Sequence, residues 1–353
     1  MAKIAVLGAG IMATALTWPL TDNGHEVALV GTHLDEDIIT SIQTTGVHPN
    51  LDLKVNEGVT AYQLADAAKA FEGADLVMSG VNSFGVDWVA DQFATLLKPG
   101  TNVISITKGM QADEDGTLHI LPEVIKKRVG AELADSCKWA AITGPSIAGE
   151  LAVRHDTAVV FTSVDQEYVT WLADLFRTDY YHVWTSTDWV GCEVAAAAKN
   201  IYAFGAGFAK GILQAAGKEN DRYGMFNYGA ALFAQGSVEL RQFIELLGGR
   251  GETATGLCGV GDMFVTSMGG RNVKAGTFVG SGVKFSEVRD VHMLGVTLEG
   301  VAAIRVVGAA LAPLTERGVI KPEDFPFCRY LYEIIEHDAP LDLPWSTFFG
   351  GEK

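Results

Sequence analysis

The sequence predicts an α/β protein in which an open, doubly wound parallel sheet is followed by an all-α domain. Apolar runs typical of buried strands alternate with amphipathic stretches through the first half of the chain. A glycine-rich turn follows the first of these runs. After about Thr187 the chain reads as long helices that contain alanine and glycine, without strong β-branched runs. We therefore expect two domains, residues 1–188 and residues 189–353.

The first predicted strand, residues 3–7, leads directly into Gly8-Ala9-Gly10-Ile11-Met12-Ala13. Glycine at positions 8 and 10 permits a tight turn and lets backbone amides approach a pyrophosphate, which then lies at the positive end of the next helix. A helix-like segment to Asn23-Gly24 and a second strand at residues 26–30 follow. This context predicts a Rossmann-like, dinucleotide-binding first domain, with alanine in place of the third glycine.

The remaining elements of this domain repeat the same alternation. A helix at residues 86–97 ends at Lys98-Pro99-Gly100, because proline and glycine do not continue it. Ligands of a doubly wound sheet bind at the carboxyl ends of its strands, so we expect the chemistry in the turns that follow them. The further predicted strands are residues 74–81, 101–106, 139–142, 156–163 and 180–184.

Composition fits an enzyme and argues against several classes of partner. The 353 residues are 48% hydrophobic, which is enough to bury one or two cores. A formal charge of -17 argues against nucleic acid or an anionic membrane as the main partner, and any phosphorylated substrate would need a few local cations. The weakly charged stretches 189–209 and 223–238 are interrupted or too short for membrane spans. No signal peptide is recognised at Met1.

The cysteines indicate a reducing environment. They are scattered without CxxC spacing, so neither a metal site nor a disulfide framework is predicted. A cytoplasmic setting is the expectation. The four residues are Cys137, Cys192, Cys258 and Cys328.

Lys199-Asn200 is the most unusual position in the chain, because it places an ammonium group and an amide inside the nearly uncharged stretch 189–209. Removing an ammonium group from water is costly unless the group is paired or loses its charge. The alternative for an isolated case is a lysine that packs its stem and keeps its head in water. The predicted cofactor loop favours a functional role for Lys199.

Two motifs follow predicted strands and would lie at the same edge of the sheet. Lys108-Gly109 follows the strand at 101–106, which would place the lysine near the nicotinamide; an ordinary surface lysine is the alternative. Thr143-Gly144-Pro145-Ser146 follows the next strand and offers hydroxyl groups and a rigid proline, although a plain turn would have the same composition.

Two motifs in the second domain offer groups for an anionic substrate. Asp262, after Gly259-Val260-Gly261, shares a helical face with Thr266 and could orient a substrate or a lysine, unless it is a simple helix-start aspartate. In Gly269-Gly270-Arg271-Asn272 the glycines permit close backbone approach and the arginine can bind phosphate bidentately. A surface loop arginine is the alternative there.

Taken together, these segments resemble the cytosolic and bacterial-type NAD(P)-dependent sn-glycerol-3-phosphate dehydrogenase family over nearly the whole chain. Each segment is weak alone, but their order and spacing are specific. The matching segments are Gly8-Ala9-Gly10, Lys108-Gly109, Gly144-Pro145-Ser146, Glu193 with Ala198-Lys199-Asn200, Asn227 with Ala230-Ala231-Leu232, Gly259-Val260-Gly261-Asp262, Gly270-Arg271-Asn272 and Glu299-Gly300.

The resemblance implies an oxidoreductase that interconverts sn-glycerol 3-phosphate and dihydroxyacetone phosphate by hydride transfer. It implies Lys199 as general acid/base, a role that calls for a lowered lysine pKa, with Lys108 and Asp262 as the other catalytic residues. The implied partners are NAD or NADP, a small phosphorylated substrate and a second copy of the chain. The implied substrate-binding residues are Asn200, Thr266, Arg271 and Asn272, and the implied cofactor-binding residues are Gly8, Gly10, Ile11, Met12, Phe84, Lys108, Ala148, Arg271 and Glu299.

Some positions depart from the family pattern and leave room for another substrate. Gln235 stands where the bacterial family usually carries arginine, and Asn227, Ala231 and Gln235 would share one helical stripe that faces the site. The aromatic-rich approach at residues 221–226 and Asn82-Ser83-Phe84 also differ. A related dehydrogenase of a longer or branched polyol phosphate is therefore an alternative, and a non-catalytic cofactor-binding regulator is a less favoured one.

Cofactor choice is left open by the second strand. It ends in Gly31-Thr32-His33 rather than in an acid for the ribose 2′-hydroxyl or an arginine for a 2′-phosphate. The negative charges of Asp35, Glu36 and Asp37 slightly favour NAD over NADP.

Overall fold

The computed structural model describes residues 1–218, 220 and 222–350. The strands are β1 (Lys3–Leu7), β2 (Glu26–Val30), β3 (Val47–His48), β4 (Leu53–Lys54), β5 (Val59–Tyr62), β6 (Leu76–Ser79), β7 (Asn102–Ser105), β8 (Met110–Ala112), β9 (Leu118–Ile120), β10 (Lys138–Thr143), β11 (Thr157–Thr162) and β12 (Tyr181–Ser186).

The helices are α1 (Ile11–Ala15), α2 (Thr17–Asp22), α3 (Glu36–Thr45), α4 (Ala67–Phe71), α5 (Val86–Leu96), α6 (Leu121–Val129), α7 (Ala131–Ser136), α8 (Ala148–Ala152), α9 (Gln166–Phe176), α10 (Trp189–Gly205), α11 (Phe208–Ala215), α12 (Phe226–Leu246), α13 (Asp262–Ser267), α14 (Arg271–Gly280), α15 (Phe285–Glu287), α16 (Glu299–Glu316) and α17 (Pro326–His337). The chain divides into two compact units, Met1–Lys108 with Leu121–Trp189 and Gly109–Ile120 with Val190–Lys353.

The first unit is built on an eight-stranded sheet of order β12-β11-β10-β7-β6-β1-β2-β5. Every neighbouring pair is parallel except β10 with β11. Strands β1 and β6 are buried almost throughout, because helices cover both faces of a doubly wound sheet. The predicted Rossmann-like sheet is confirmed.

Strand β5 at the sheet edge was not among the predicted strands. Its residues Val59–Tyr62 are half-buried or exposed and pair only with β2 among the described strands. A short edge strand gives little signal in the sequence, because the alternation of apolar and polar residues that predicts a strand arises only where one face packs against a core.

The second unit is helical, with one short hairpin. Strands β8 and β9 pair with each other and not with the large sheet. Arg317 at the end of α16 binds the hairpin turn through Asp115, at 2.9 Å, and Thr117, at 3.0 Å. The predicted single boundary at residue 188 therefore omits residues 109–120, which belong to the helical unit.

Glycines bring two helix pairs of the second unit into close contact. A Cβ atom at Gly276 of α14 would lie 1.8 Å from the carbonyl oxygen of Phe204 in α10. A Cβ atom at Gly211 of α11 would lie 2.0 Å from the carbonyl oxygen of Thr277. Only glycine permits these distances, which explains the glycine content of the predicted helices. Within the described residues, no helix combines the length and apolarity needed to cross a membrane.

Candidate active site

The nucleotide loop leaves the carboxyl end of β1, between β2 and β6. Gly8 has a φ of 115°, and a Cβ atom there would lie 2.7 Å from the carbonyl oxygen of Gly80. A Cβ atom at Gly10 would meet nothing within 4 Å, so the backbone is open to a ligand at this point. The amides of Ile11 and Met12 lie in the first turn of α1, where a helix has no internal acceptors. The loop therefore fits a dinucleotide pyrophosphate.

Ala13, the departure from the third glycine, is accommodated by a glycine on another strand. Gly80 follows β6, and a Cβ atom there would lie only 2.6 Å from the Cβ of Ala13. The close packing between helix and sheet that a third glycine usually provides is thus supplied from the opposite side.

Two of the other predicted cofactor residues, Met12 and Ala148, lie in helices that pack against each other at this loop. The hydroxyl of Ser146 donates to the sulfur of Met12 at 3.8 Å, and Ala148 begins α8, which packs against α1. Phe84, in the turn after β6, is 63% exposed, and its amide donates to Asn82 Oδ1. The structure brings Met12, Ser146 and Ala148 together and leaves the Phe84 ring accessible.

Lys108 and the Gly144 turn meet at the carboxyl edge of the sheet. Lys108 follows β7 and Gly144 follows the neighbouring parallel strand β10. The half-buried Lys108 donates through Nζ to the carbonyl oxygen of Gly144 at 3.1 Å. The expected position of this lysine at the end of a strand is therefore correct.

In the helical unit, Lys199 is buried and paired. Its exposed fraction is 7%, and that of Asp262 is 2%. The Lys199 ammonium forms an ion pair with Asp262 Oδ1 and donates to Thr266 Oγ1 at 2.9 Å. Thr266 in turn donates to the carbonyl oxygen of Asp262 at 2.7 Å. The alternative of a lysine that reaches the surface is excluded, and the predicted trio of side chains is assembled.

The chain geometry at Asp262 explains how the trio forms. A π-helical turn, Leu257–Gly261, directly precedes α13, which begins at Asp262. Thr266 lies one turn along the same face of that short helix. Irregular turns of this kind are frequent at functional sites, because they redirect a helix and its side chains.

The other substrate-binding candidates gather around the start of α16. Asn272 Oδ1 accepts a hydrogen bond from Gly300 N at 3.1 Å, and a Cβ atom at Gly300 would lie 2.5 Å from the carbonyl oxygen of Asn200. Glu299 is the first residue of this helix and is half-buried. Asn272 thus uses its carbonyl to hold α16, which leaves its amide N–H groups for a ligand.

Arg271 is an exposed cation at the start of α14. It begins α14 after Gly270, which has a φ of 98° that favours glycine. It forms no ion pair with any residue that the structure describes. An exposed arginine at a helix start, without an ion pair among the described residues, is suited to bind a phosphate.

Comparison with known proteins decides the family. The N-terminal model of NAD-dependent glycerol-3-phosphate dehydrogenase matches residues 3–169, and the C-terminal model of the same family matches residues 188–344. The chain belongs to this family.

Curated relatives and solved structures agree with this membership. The chain is 35% identical to an NADP(+)-dependent glycerol-3-phosphate dehydrogenase of Archaeoglobus fulgidus over 81% of this chain and 82% of the relative. It is 34% identical to a glycerol-3-phosphate dehydrogenase [NAD(P)+] of Oceanobacillus iheyensis over 100% of this chain and 95% of the relative. The structure of glycerol-3-phosphate dehydrogenase from Coxiella burnetii has a TM-score of 0.77 and 27% identity, and the match covers 98% of this chain and 97% of that chain.

Gln235, the departure at the usual family arginine, is buried and hydrogen-bonded inside the helical unit. It is 2% exposed, its Nε2 donates to Glu239 Oε1 at 2.7 Å, and its Oε1 accepts from Phe349 N at 2.8 Å. Both polar ends of the side chain are used inside the helical unit. The hypothesis that Gln235 shares a site-facing stripe is wrong, because the helix turns this position towards the C-terminal segment.

Glu239, which sequence analysis missed, is the centre of that buried network. Besides Gln235, it accepts from Tyr202 OH at 3.1 Å, Phe327 N at 2.7 Å and Cys328 N at 2.9 Å. Burial raises the pKa of Glu239 to about 7, although the four donors oppose the shift. A glutamate four residues after Gln235, on one helical face, was the available signal.

The aromatic approach predicted at residues 221–226 is described only in part, because Asp221 lies outside the described residues. Phe226 begins α12 and is 77% exposed. An apolar cavity of about 680 Å³ opens beside it. Its lining includes Met225, Phe226, Phe233, Met263, Phe264 and Met268.

Proposed function

We propose that this chain is an NAD(P)-dependent oxidoreductase that interconverts sn-glycerol 3-phosphate and dihydroxyacetone phosphate, with Lys199 as general acid/base. The observation that carries the proposal is the buried Lys199, paired with Asp262 and hydrogen-bonded to Thr266. Burial of an ammonium group costs desolvation free energy, and a role in proton transfer explains why a lysine occupies this buried position. Family membership and the nucleotide loop support the same reaction.

Lys199 moves the proton of the reaction in this proposal. When bound, the nicotinamide ring accepts or supplies the hydride at the secondary carbon. In ketone reduction the Lys199 ammonium gives a proton to the carbonyl oxygen and becomes the neutral amine, and in alcohol oxidation that neutral amine receives the proton of the secondary hydroxyl. Asp262 and Thr266 hold Nζ in one position, so that less reorientation is needed at the moment of transfer. Lys108 is proposed to polarise the substrate carbonyl.

Substrate binding is assigned to groups around the starts of α14 and α16. Arg271 is proposed to bind the phosphate, with Asn272 donating from its amide. Asn200 is proposed to bind a substrate hydroxyl, because it is polar, 7% exposed and next to Lys199. Contacts of Phe84, Ala148, Arg271 and Glu299 with the cofactor are also proposals.

The alternative substrates lose part of their support. A longer or branched polyol phosphate was suggested by Gln235 together with the aromatic approach and residues 82–84, and the Gln235 side chain is buried in another network. A non-catalytic regulator would have no use for the buried pair of Lys199 and Asp262. The names of the relatives include both NADP(+) and NAD(P)+, so either cofactor is compatible with the family.

We also propose that the protein is a cytoplasmic homodimer, as the family resemblance implies. The homodimer is supported by exposed apolar side chains on the helical unit, among them Phe226, Phe264 and Met268. Light scattering of the purified protein tests the assembly, and a mass equal to one chain would contradict it.

The reaction is tested by the oxidation of NADH and NADPH in the presence of dihydroxyacetone phosphate. Turnover that depends on this substrate is expected. Negligible turnover by protein that is folded and binds either cofactor would refute the proposed reaction, and a panel of other phosphorylated ketoses would then identify the substrate.

A further inference from the structure

The turn after β2 folds the carboxylate of Asp35 back to the end of that strand, where the sequence itself has no acidic residue. Residues 31–33 carry no acid, but the chain folds back so that Asp35 Oδ2 accepts from Thr32 N at 2.9 Å and from Thr32 Oγ1 at 2.8 Å. The same oxygen accepts from Ala9 N at 3.1 Å. Asp35 is therefore fixed at the carboxyl end of β2 and against the nucleotide loop.

This location matters because of what binds there. In a Rossmann-type domain the adenosine ribose lies beside the end of the second strand, and an acid at that point accepts the 2′-hydroxyl of NAD. Asp35 is half-buried, and its second oxygen, Oδ1, accepts no hydrogen bond from the described residues. One oxygen holds the turn and the other remains available to a ligand.

The surrounding charge also disfavours a 2′-phosphate. The sequence contains no lysine or arginine between Lys3 and Lys54, a stretch that covers β1, the nucleotide loop, β2 and α3. Glu36 and Asp37 add negative charge in the first turn of α3. The stem of Lys54 packs against Gly46 at the other end of that helix. This stretch therefore places no lysine or arginine in the turn that could neutralise a 2′-phosphate.

We propose that Asp35 determines the cofactor preference: its carboxylate accepts the ribose 2′-hydroxyl of NAD and repels the 2′-phosphate of NADP. The inference rests on the proposed function only in requiring that the glycine loop bind a nicotinamide dinucleotide. Like charges at short range in a partly buried site repel each other strongly, and an unmet hydroxyl acceptor costs further affinity.

The test is a fluorescence titration of the purified protein with NADH and with NADPH, without substrate, at pH 8. The wild-type protein is expected to bind NADH at least about tenfold more tightly than NADPH. Asp35→Asn keeps the shape and removes the charge, and it is expected to reduce the ratio of the two dissociation constants by about tenfold. Asp37→Asn is the matched control, since this exposed carboxylate makes no contact with the loop, and the ratio is expected to stay close to wild type.

Two results would overturn the proposal. One is a wild-type protein that binds NADPH as tightly as NADH, and the other is an Asp35→Asn protein whose ratio equals that of Asp37→Asn. If Asp35→Asn does not fold, Asp35→Ser, which keeps a hydroxyl acceptor for Thr32, is measured in the same way, and an unchanged ratio would again refute the role of Asp35. Because no substrate is present, these results are independent of turnover with dihydroxyacetone phosphate.

Discussion

At the scale of single residues, the site depends on a charge that the fold has removed from water. Lys199 tolerates burial because it forms an ion pair with Asp262 and donates a hydrogen bond to Thr266 Oγ1. The pair is therefore both a functional group and a stability risk, since removal of one partner leaves the other charge buried and uncompensated.

Replacement of Lys199 by alanine should abolish proton transfer and leave the nucleotide loop intact. We expect kcat to fall by about 10²- to 10⁴-fold, the usual contribution of general acid/base catalysis, with a nearly unchanged dissociation constant for the cofactor. Steady-state kinetics and a cofactor titration measure the two effects. The exposed Lys321→Ala is the control. Near wild-type turnover in Lys199→Ala would show that the acid/base assignment is wrong.

Tyr181 carries a buried hydroxyl that finds no hydrogen-bond partner among the described residues, although its ring is fully buried. Such a group costs about 1–3 kcal/mol. Tyr181→Phe is therefore expected to raise the free energy of unfolding by about 1 kcal/mol in urea titrations.

Tyr168→Phe is the matched control for that substitution. The Tyr168 hydroxyl is also buried, but it donates to the carbonyl oxygen of Val103 at 2.9 Å. Its removal should lower the free energy of unfolding by about 1 kcal/mol. Changes of the same sign in both variants would contradict this account of the Tyr181 hydroxyl.

At the scale of elements, the nucleotide loop is shaped by the contact between α1 and Gly80, the residue that follows β6. Gly80→Ala would place a Cβ atom 2.6 Å from the Cβ of Ala13 and 3.0 Å from the carbonyl oxygen of Gly8. We expect a loss of about 1–3 kcal/mol in stability, as in other overpacked sites, together with weaker cofactor binding.

Thermal unfolding and cofactor titration measure these effects of Gly80→Ala. Gly149→Ala is the control, because it lies in α8 and its added Cβ atom would meet nothing within 4 Å. A Gly80→Ala protein with the stability and cofactor affinity of this control would show that the loop does not depend on the contact.

The network around Glu239 predicts a pH dependence of stability. In the folded protein the pKa of this carboxyl is raised to about 7 from an ordinary value near 4.5. Below pH 4.5 it is protonated in both states, and between pH 4.5 and 7 the unfolded chain loses the proton first, so stability falls as the pH rises. The loss is about 3 kcal/mol by pH 8. Glu239→Gln should remove this decline.

Urea unfolding at pH 5 and pH 8 compares the wild type with Glu239→Gln. The control is Glu245→Gln on the same helix, whose carboxylate is partly exposed and paired with Arg241. It should keep the wild-type difference between the two pH values. An equal difference in all three proteins would mean that Glu239 does not titrate in this range.

At the scale of the whole molecule, each unit collects residues that lie far apart in the chain. The sheet unit joins the loop at Gly8 to Gly80 and to the turn at Ser146, and the helical unit joins Lys199 to Asp262. The excursion of residues 109–120 shows that the units are not two successive halves. Packing of the hairpin against Arg317 is a long-range contact, which local sequence patterns do not reveal.

Some long-range features were nevertheless predictable, for a specific reason. Lys108 and Gly144 each follow a buried parallel strand, and the ends of neighbouring parallel strands meet at one edge, so strand prediction placed both. Gln235 shows the limit of this reasoning. Helical spacing placed Gln235 on one stripe of α12 but did not reveal what packs against it. In the structure Gln235 bonds to Glu239 of the same helix and to the backbone of Phe349 in the C-terminal segment.

The sequence by itself determined the nucleotide loop, the alternation of strands and helices and the family, because these depend on contiguous patterns and on the order of motifs. Only the tertiary structure decided that Lys199 is paired, that Gln235 and Glu239 secure the C-terminal segment, and that Asp35 returns its carboxylate to the end of β2. Each of these results depends on the direction of a side chain across a turn or between distant segments. That direction is set by packing, which residue identity and spacing do not specify.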